Sequence, residues 1–371
     1  MEPAAAQTLA SRTWDVAWVD RDAGSAWTGR GVGAEVNSGS PADGPELVAD
    51  IHAGRRGGGT WLGGIAFPGA RWTPLWAGFP AVRFVRPSRA WQGALPVAGG
   101  PRAVGGAPDE QPDPAWLDAV TRARGCIRSG GMEKVVLARA IARRAATAWD
   151  AHEVFDGFLR HVGGRRVFLL RGTDGAALVG ATPETLLRIR GDRVEVDALA
   201  GSQVEGSAFT VKDRHEHRVV VDAITAVLDA FARRVHRPGA PRVMDLGYIR
   251  HLHTRLSATL APDASVADLL RALFPTPAVA GAPREAALAF IRQHETIDRG
   301  WYAGAIGRVA PGDVDLAVAL RCVLLRGAEA QVFVGAGIMD ASEPGAEWAE
   351  TARKSAPAMR ALEGAAHAVP G

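Results

Sequence analysis

The chain has 371 residues, 47% of them apolar and 22% charged, with a formal charge of +3. This composition suits a globular protein with one broad core or two modest ones, and it excludes a disordered tail. The arginines are scattered rather than gathered into a block, so the charge gives no argument for nucleic acid and leaves small anions open as ligands.

The start, MEPAAAQTLASRTW, has an acid at position 2 and no basic-then-apolar leader pattern. No run of about 18 apolar residues occurs, so no membrane partner is expected. Cys126 and Cys322 form no CxxC and read as two buried thiols in a reducing compartment, with a cytoplasmic location expected. Residues 1–110 are rich in Gly, Pro and Trp, with strand-like pieces at GGTWLGGIAFPG (58–69) and PAVRFVRP (80–87), and read as a β-rich half. RRGGGTWLGG has the glycines of a phosphate loop, but neither Gly-Lys-Ser/Thr nor a helix pattern follows. PVAGGPRAVGGAPDEQPDP (96–114) reads as a connector, and AWLDAVTRARGCIRS after it as a helix.

Strand patterns then recur at EKVVLARAI (133–141), RRVFLLRG (165–172), AALVGA (176–181) and RVEVDALAG (193–201). Three more, YAGAIGRVA, DLAVALRCVLL and AQVFVGAGI, follow one another near the end with hairpin-length connections. Runs of neighbouring strands with separate helices predict an α+β fold of mainly antiparallel sheet with helices outside.

The longest helix pattern covers 212–237, with an apolar stripe of Val220, Ile224, Leu228, Phe231 and Val235. Carried back by four residues, the stripe lands on Glu216, with Asp213 three residues before it. A helix start accounts for Asp213 through the helix dipole. A carboxylate on the buried face, as at Glu216, costs several kcal/mol unless cations or hydrogen bonds meet it. His215 and His217 flank Glu216 but point about 200° apart on a helix, so they cannot chelate one zinc ion. GAEWAETARKS (345–355) repeats the acidic theme, with Glu347, Glu350 and Lys354 on one helical face. A solvated, salt-bridged surface is one reading. Two helices that each present a pair of carboxylates are also an oxygen-only set suited to Mg2+.

The segments KVVLAR (134–139), ATPETLL (181–187), ALAGS (198–202), KDRHEH (212–217), FPTPAVAGAPR (274–284), WYAGAIG (301–307), ALRCVLL (319–325), GAGI (335–338) and EWAET (347–351) follow, in order, the motifs of the chorismate-utilising enzymes. The set is most similar to the isochorismate synthases, which isomerise chorismate for siderophore or menaquinone synthesis. The resemblance implies a single domain over 1–371, its β-rich N-terminal half variable and its motifs within 115–365, built as two stacked, mainly antiparallel sheets flanked by helices.

It further implies Mg2+ on Glu216 and Glu350, with Asp213 and Glu347 in supporting positions, and Lys354 helping to bind a substrate carboxylate. Lys134 is implied as the base that activates water, and Glu184 as the acid that protonates the leaving hydroxyl. A lysine base must sit well below its ordinary ~10.4, and a glutamic acid well above its ordinary ~4.3. Arg321 and Tyr302 match residues that bind the enolpyruvyl carboxylate, and Gly335 and Gly337 match close amide contacts to a carboxylate. His251 matches a ring-facing histidine, and Ala200, Gly201 and Ser202 match the turn beside the leaving hydroxyl. Each of these has a plainer reading by itself: a strand-surface arginine, a core histidine, an edge-strand lysine.

Ala200 where aminodeoxychorismate synthases tend to carry lysine, together with Lys134, points to water rather than ammonia, so no glutaminase partner is expected. Ala278 and Arg284 stand where salicylate and anthranilate synthases tend to have Thr and Lys. Salicylate synthase is the nearest alternative, and an inactive chorismate-binding scaffold is another. One departure from the family is the short segment QVEGSAFTV between Ser202 and Lys212, where a longer stretch often containing Pro-Arg is usual.

Overall fold

The computed structural model describes residues 14–94, 110–161 and 165–366. The opening stretch and most of the predicted connector lie outside the described residues. The N-terminal part holds β1 (Val16–Asp20), β2 (Ser25–Ser38), α1 (Gly44–His52), β3 (Trp61–Ile65) and β4 (Val82–Ala94). Next come α2 (Pro114–Arg128), β5 (Lys134–Arg144), α3 (Ala151–His161), β6 (Arg166–Arg171), β7 (Ala177–Thr182), β8 (Thr185–Arg190) and β9 (Arg193–Gln203). They are followed by α4 (Val211–Phe231), β10 (Ala232–His236), β11 (Arg242–Asp245), β12 (Arg250–Leu260), α5 (Val266–Leu273), β13 (Gly281–Ala282) and α6 (Arg284–His294). The last described elements are β14 (Ala305–Ala310), β15 (Asp313–Val318), β16 (Cys322–Arg326), β17 (Glu329–Ile338) and α7 (Pro344–Ala366).

The strand pairings among the described residues are antiparallel and form one ladder that doubles over on itself. One layer runs β13, β5, β17, β16, β7, β6, β1. The long β2 carries the ladder into the second layer, which runs β4, β3, β14, β15, β8, β9, β12, with β10 and β11 sharing the far edge. Period-two alternation decides which residue faces where. In the first layer Phe168, Leu170, Leu178, Leu324 and Phe333 join a core with Trp61, Ile65, Phe84, Ile306 and Leu316 of the second. Their neighbours Val167, Leu169, Val179, Val323 and Val332 turn outward into a separate core under α3 and α7. The second layer is backed by α4, whose Val220, Ile224 and Leu228 pack with Val196, Ala198 and Leu256.

Two sequence expectations need correction. The helix predicted over 212–237 ends at Phe231, where Ala232 turns extended and β10 begins, pairing Val235 with Ala258. An open sheet edge offers Arg234–His236 main-chain partners that outweigh the modest helix preference of those residues. DLAVALRCVLL is not one strand but two, β15 and β16, in different layers, and Arg321 at the break has a left-handed backbone with φ of 49°. Cys322 is buried as expected, whereas Cys126 on α2 is only half-buried.

Candidate active site

The site forms where two adjacent strands change layers together. β7 ends in the first layer and β8 opens in the second, with Pro183 and Glu184 between them. Beside this crossing, β15 ends in the second layer and β16 opens in the first, with Ala319, Leu320 and Arg321 between them. The Val318 amide donates to the Glu184 carbonyl at 3.1 Å and ties the two crossings. Residues at a crossing leave the ladder, so their side chains can enter the space between the layers.

That space is a cleft of about 670 Å3, its open mouth included. Its lining brings together Glu184, Ala200, Gly201, Ser202, Glu216, His251, Ala278, Tyr302, Arg321, Gly335, Gly337 and Lys354. Lys134, the first residue of β5, is fully buried with its Nζ 3.0 Å from Glu216 Oε1. Asp213, Glu347 and Glu350 line an adjoining cleft that shares Ser202 with the first. Arg284 does not reach the cleft: its guanidinium donates to the Arg271 and Ala272 carbonyls at the end of α5. Gly201 is the extra residue where β9 slips against β12, with φ of 72°, and a Cβ there would come within 2.7 Å of the Asp213 carbonyl.

Glu184 is 2% exposed, and burial pushes its carboxyl up to about 8, with the charge of Asp197 adding to the rise against Lys134, Arg321 and Lys354. Asp197 itself stays ionised: burial is outweighed by His253 at 2.7 Å and Arg255 at 3.0 Å. Burial, then Arg321 and Lys354, pushes the His251 imidazole well below its ordinary range. Arg321 Nη2 lies 2.6 Å from His251 Nε2, and a guanidinium can only donate, so Nε2 accepts and the ring proton sits on Nδ1, 3.1 Å from Ser202 Oγ. Among the described residues Arg321 Nη1 has no hydrogen-bond partner of ordinary geometry, with the buried Tyr248 phenol close by, which leaves a donor for an anion in the cleft. Tyr302 stacks on Phe333 with centroids 5.5 Å apart, and burial raises its phenol.

The acidic residues are met by lysines. Lys134 faces Glu216, Lys354 lies 2.7 Å from Glu350, and Lys212 bonds Glu347. For Glu216 the burial cost is outweighed by Lys134 and then Lys212, which hold its carboxyl below the ordinary range. Glu347 is pushed up by burial and by Glu350 despite Lys212. Asp213 caps α4, accepting from Thr210 N at 2.7 Å and from Gln203 Nε2 at 2.7 Å. Gln203 and the carbonyls of Val204 and Ser207, held by Arg250, tie down the short segment before α4. Among the described residues no three His, Cys, Asp or Glu side chains converge to metal-binding distance. His215 and His217 diverge as their spacing requires, to Glu133 at 3.4 Å and Thr254 at 2.8 Å.

Sequence reasoning assigns no role to Asp197, Lys212 or the apolar lining residues Val136, Leu199, Leu320 and Phe333, although Val136, Leu199, Lys212 and Leu320 lie inside the motifs themselves. Asp197 does carry a signal, one of two acids, with Glu195, that alternate with Val194, Val196 and Ala198 along β9. Gly337 faces the buried pair directly: a Cβ there would lie 2.0 Å from Glu216 Oε1 and 3.1 Å from Lys134 Cε. Gly337→Ala is expected to displace Glu216 and destabilise the protein by about 1–3 kcal/mol, as overpacking does. Urea denaturation checks this, and unchanged stability would contradict the packing.

Residues 104–363 match the family described as chorismate binding enzyme. The chain belongs to the chorismate-binding enzymes. Among curated members of this family, it is 38% identical over 260 residues to the salicylate biosynthesis isochorismate synthase of Pseudomonas aeruginosa, covering 67% of this chain and 54% of that one. It is 33% identical over 277 residues to isochorismate synthase MenF of Bacillus subtilis, covering 71% of this chain and 58% of that one. The match thus spans little more than half the length of these two relatives. DhbC from Bacillus anthracis superposes with a TM-score of 0.81 at 24% identity, over 97% of this chain and 99% of that one, and shares the fold. Among the described residues no helix of this chorismate-binding enzyme is long and apolar enough to cross a membrane.

Proposed function

We propose that this chorismate-binding enzyme is an isochorismate synthase that adds water at C2 of chorismate and expels the C4 hydroxyl as water. The observation that carries the reading is Glu184, a buried carboxyl pushed up to about 8, in one cleft with a buried arginine and close to a buried lysine. A carboxyl that stays protonated at neutral pH can give its proton to a leaving hydroxyl. The isochorismate synthase names of both relatives support the same reaction.

Lys134 takes the proton from the attacking water, and Glu184 supplies one to the departing hydroxyl, so one water enters and one leaves. Arg321 and Tyr302 hold the enolpyruvyl carboxylate, where a charged hydrogen bond contributes about 1.5–3 kcal/mol. His251 holds the Arg321 guanidinium from behind, and Ala200, Gly201 and Ser202 sit beside the leaving hydroxyl. The oxygen-only donor set fits Mg2+, with Asp213, Glu347 and Glu350 lining one cleft that adjoins Glu216. Glu216 and Glu350 would hold the ion, Asp213 and Glu347 would support it, and when bound it would neutralise the ring carboxylate alongside Lys354 and the Gly335 and Gly337 amides. A cytoplasmic setting, with chorismate as partner and no glutaminase, belongs to the same proposal.

The test is incubation with chorismate and Mg2+, chromatography of products, and a lactate-dehydrogenase-coupled assay for pyruvate. Isochorismate with little pyruvate is expected, because Ala278 in the cleft offers no hydroxyl to restrain the side chain for elimination. Stoichiometric pyruvate with salicylate would overturn this choice, and anthranilate formed from ammonium would overturn the water nucleophile. EDTA should stop turnover and Mg2+ restore it. Restoration by Zn2+ alone would contradict the oxygen-ligand argument.

A further inference from the structure

The sequence contains three lysines, Lys134, Lys212 and Lys354, against 40 arginines. Each of the three meets a different glutamate of the acidic cluster: Glu216, Glu347 and Glu350. Elsewhere among the described residues most paired carboxylates face arginine, as in Arg166 with Asp315, Arg299 with Glu295 and Arg83 with Glu35, and a few face histidine, as Asp197 does with His253. A lysine kept at 212 in so arginine-rich a chain therefore points to a need for a compact ammonium rather than a planar fork.

The three pairs differ in reach. Lys134 joins β5 to α4, and Lys354 pairs with Glu350 within α7, one turn apart. Lys212, in the first turn of α4, crosses to Glu347 in the first turn of α7 and so links the two helices that carry the proposed metal ligands. Its side chain is 22% exposed, and it lines the outer cleft with Asp213, Glu347 and Glu350 rather than the substrate cleft.

We propose that Lys212 is a placeholder cation: its ammonium neutralises Glu347 and holds the two acidic helices together until a divalent cation enters and displaces it. This rests on the metal reading above. A point charge on a flexible stem can leave a carboxylate and swing toward solvent, whereas a guanidinium bound through two parallel donors is harder to dislodge. The two substitutions at this position should therefore move metal affinity in opposite directions.

Titration of the full-length protein with Mg2+ by calorimetry, without substrate, tests this. Lys212→Met is expected to bind Mg2+ about tenfold more tightly than the parent, and Lys212→Arg several-fold more weakly. In EDTA the Lys212→Met variant should melt below the parent, and saturating Mg2+ should close that gap. An unchanged Mg2+ affinity in Lys212→Met, with the parent binding measurably, would overturn the placeholder and leave the metal site standing. No Mg2+ binding by the parent or by Lys212→Met would overturn the metal assignment, and the placeholder with it. If Lys212→Met fails to fold, equal affinities in Lys212→Arg and the parent overturn the proposal.

Discussion

Lys134→Ala is expected to lower turnover of chorismate by about 10²–10⁴-fold, the usual contribution of a positioned acid or base. The same substitution leaves Glu216 buried without its nearest partner. Breaking a buried pair costs about 3–5 kcal/mol, and the charges of Lys212 and Lys354 near Glu216 should keep the loss below that range. The sign with pH follows from the direction of the shift. The folded-state carboxyl of Glu216 is held below its ordinary 4.5, so the stability it contributes is present above that value and disappears as pH falls through the folded one. Parent and variant should therefore differ in urea stability at pH 7 and converge in acid. Partial rescue of turnover by a small primary amine separates a lost base from a displaced Glu216. Near-parent turnover by Lys134→Ala would remove Lys134 from the mechanism.

Glu184→Gln should be as damaging to turnover, about 10²–10⁴-fold, with the opposite effect on stability. In the parent the carboxyl is raised from 4.5 to about 8, mainly by burial. A raised folded-state value means that stability is fully present below about 4.5 and falls as pH climbs toward and through about 8, because the folded protein must then hold an ionised carboxylate where water cannot reach it. Glutamine carries no such penalty. The variant should match the parent in thermal stability near pH 5 and exceed it near pH 9. In the parent, kcat/KM should fall on the alkaline side near pH 8, and that limb should be absent from the residual activity of the variant. A variant no more stable than the parent at pH 9 would mean that Glu184 is not held neutral by burial.

Much of the fold was legible because its signals are local. The Val167-Phe168-Leu169 alternation sends residues to two different cores, and the Glu347, Glu350 and Lys354 stripe needs nothing beyond helical spacing. The errors fall where distant partners decide. Arg234–His236 would continue a helix by preference, and only the free edge of β12 draws them into a strand. DLAVALRCVLL reads as one apolar strand, since nothing local marks the layer crossing that holds Arg321 in a left-handed conformation. A bulky residue at positive φ costs of order 1–3 kcal/mol, and such strain persists where the surroundings fix it, here through His251 and the Tyr248 ring. Within the site, the motifs located the charged residues but not what tunes them. Asp197 adds to the rise of Glu184 from a strand whose own motif begins one residue later, at Ala198. Lys212 stood inside a quoted motif, and its meaning lay in a count over the whole chain.

The path of the ladder has a consequence for how the protein could be divided. The family match begins at residue 104, and the residues it covers include every one assigned to the site. Yet β6 finds its outer neighbour in β1, and β14 finds one of its two neighbours in β3. A chain begun at residue 115 would keep the whole chemical inventory while leaving Arg166–Arg171 and Ala305–Ala310 each with an open, apolar edge. Exposed edges of that kind recruit strands from other molecules. The recognisable segment alone is thus expected to expose strand edges that the N-terminal strands cover, and so to associate with copies of itself.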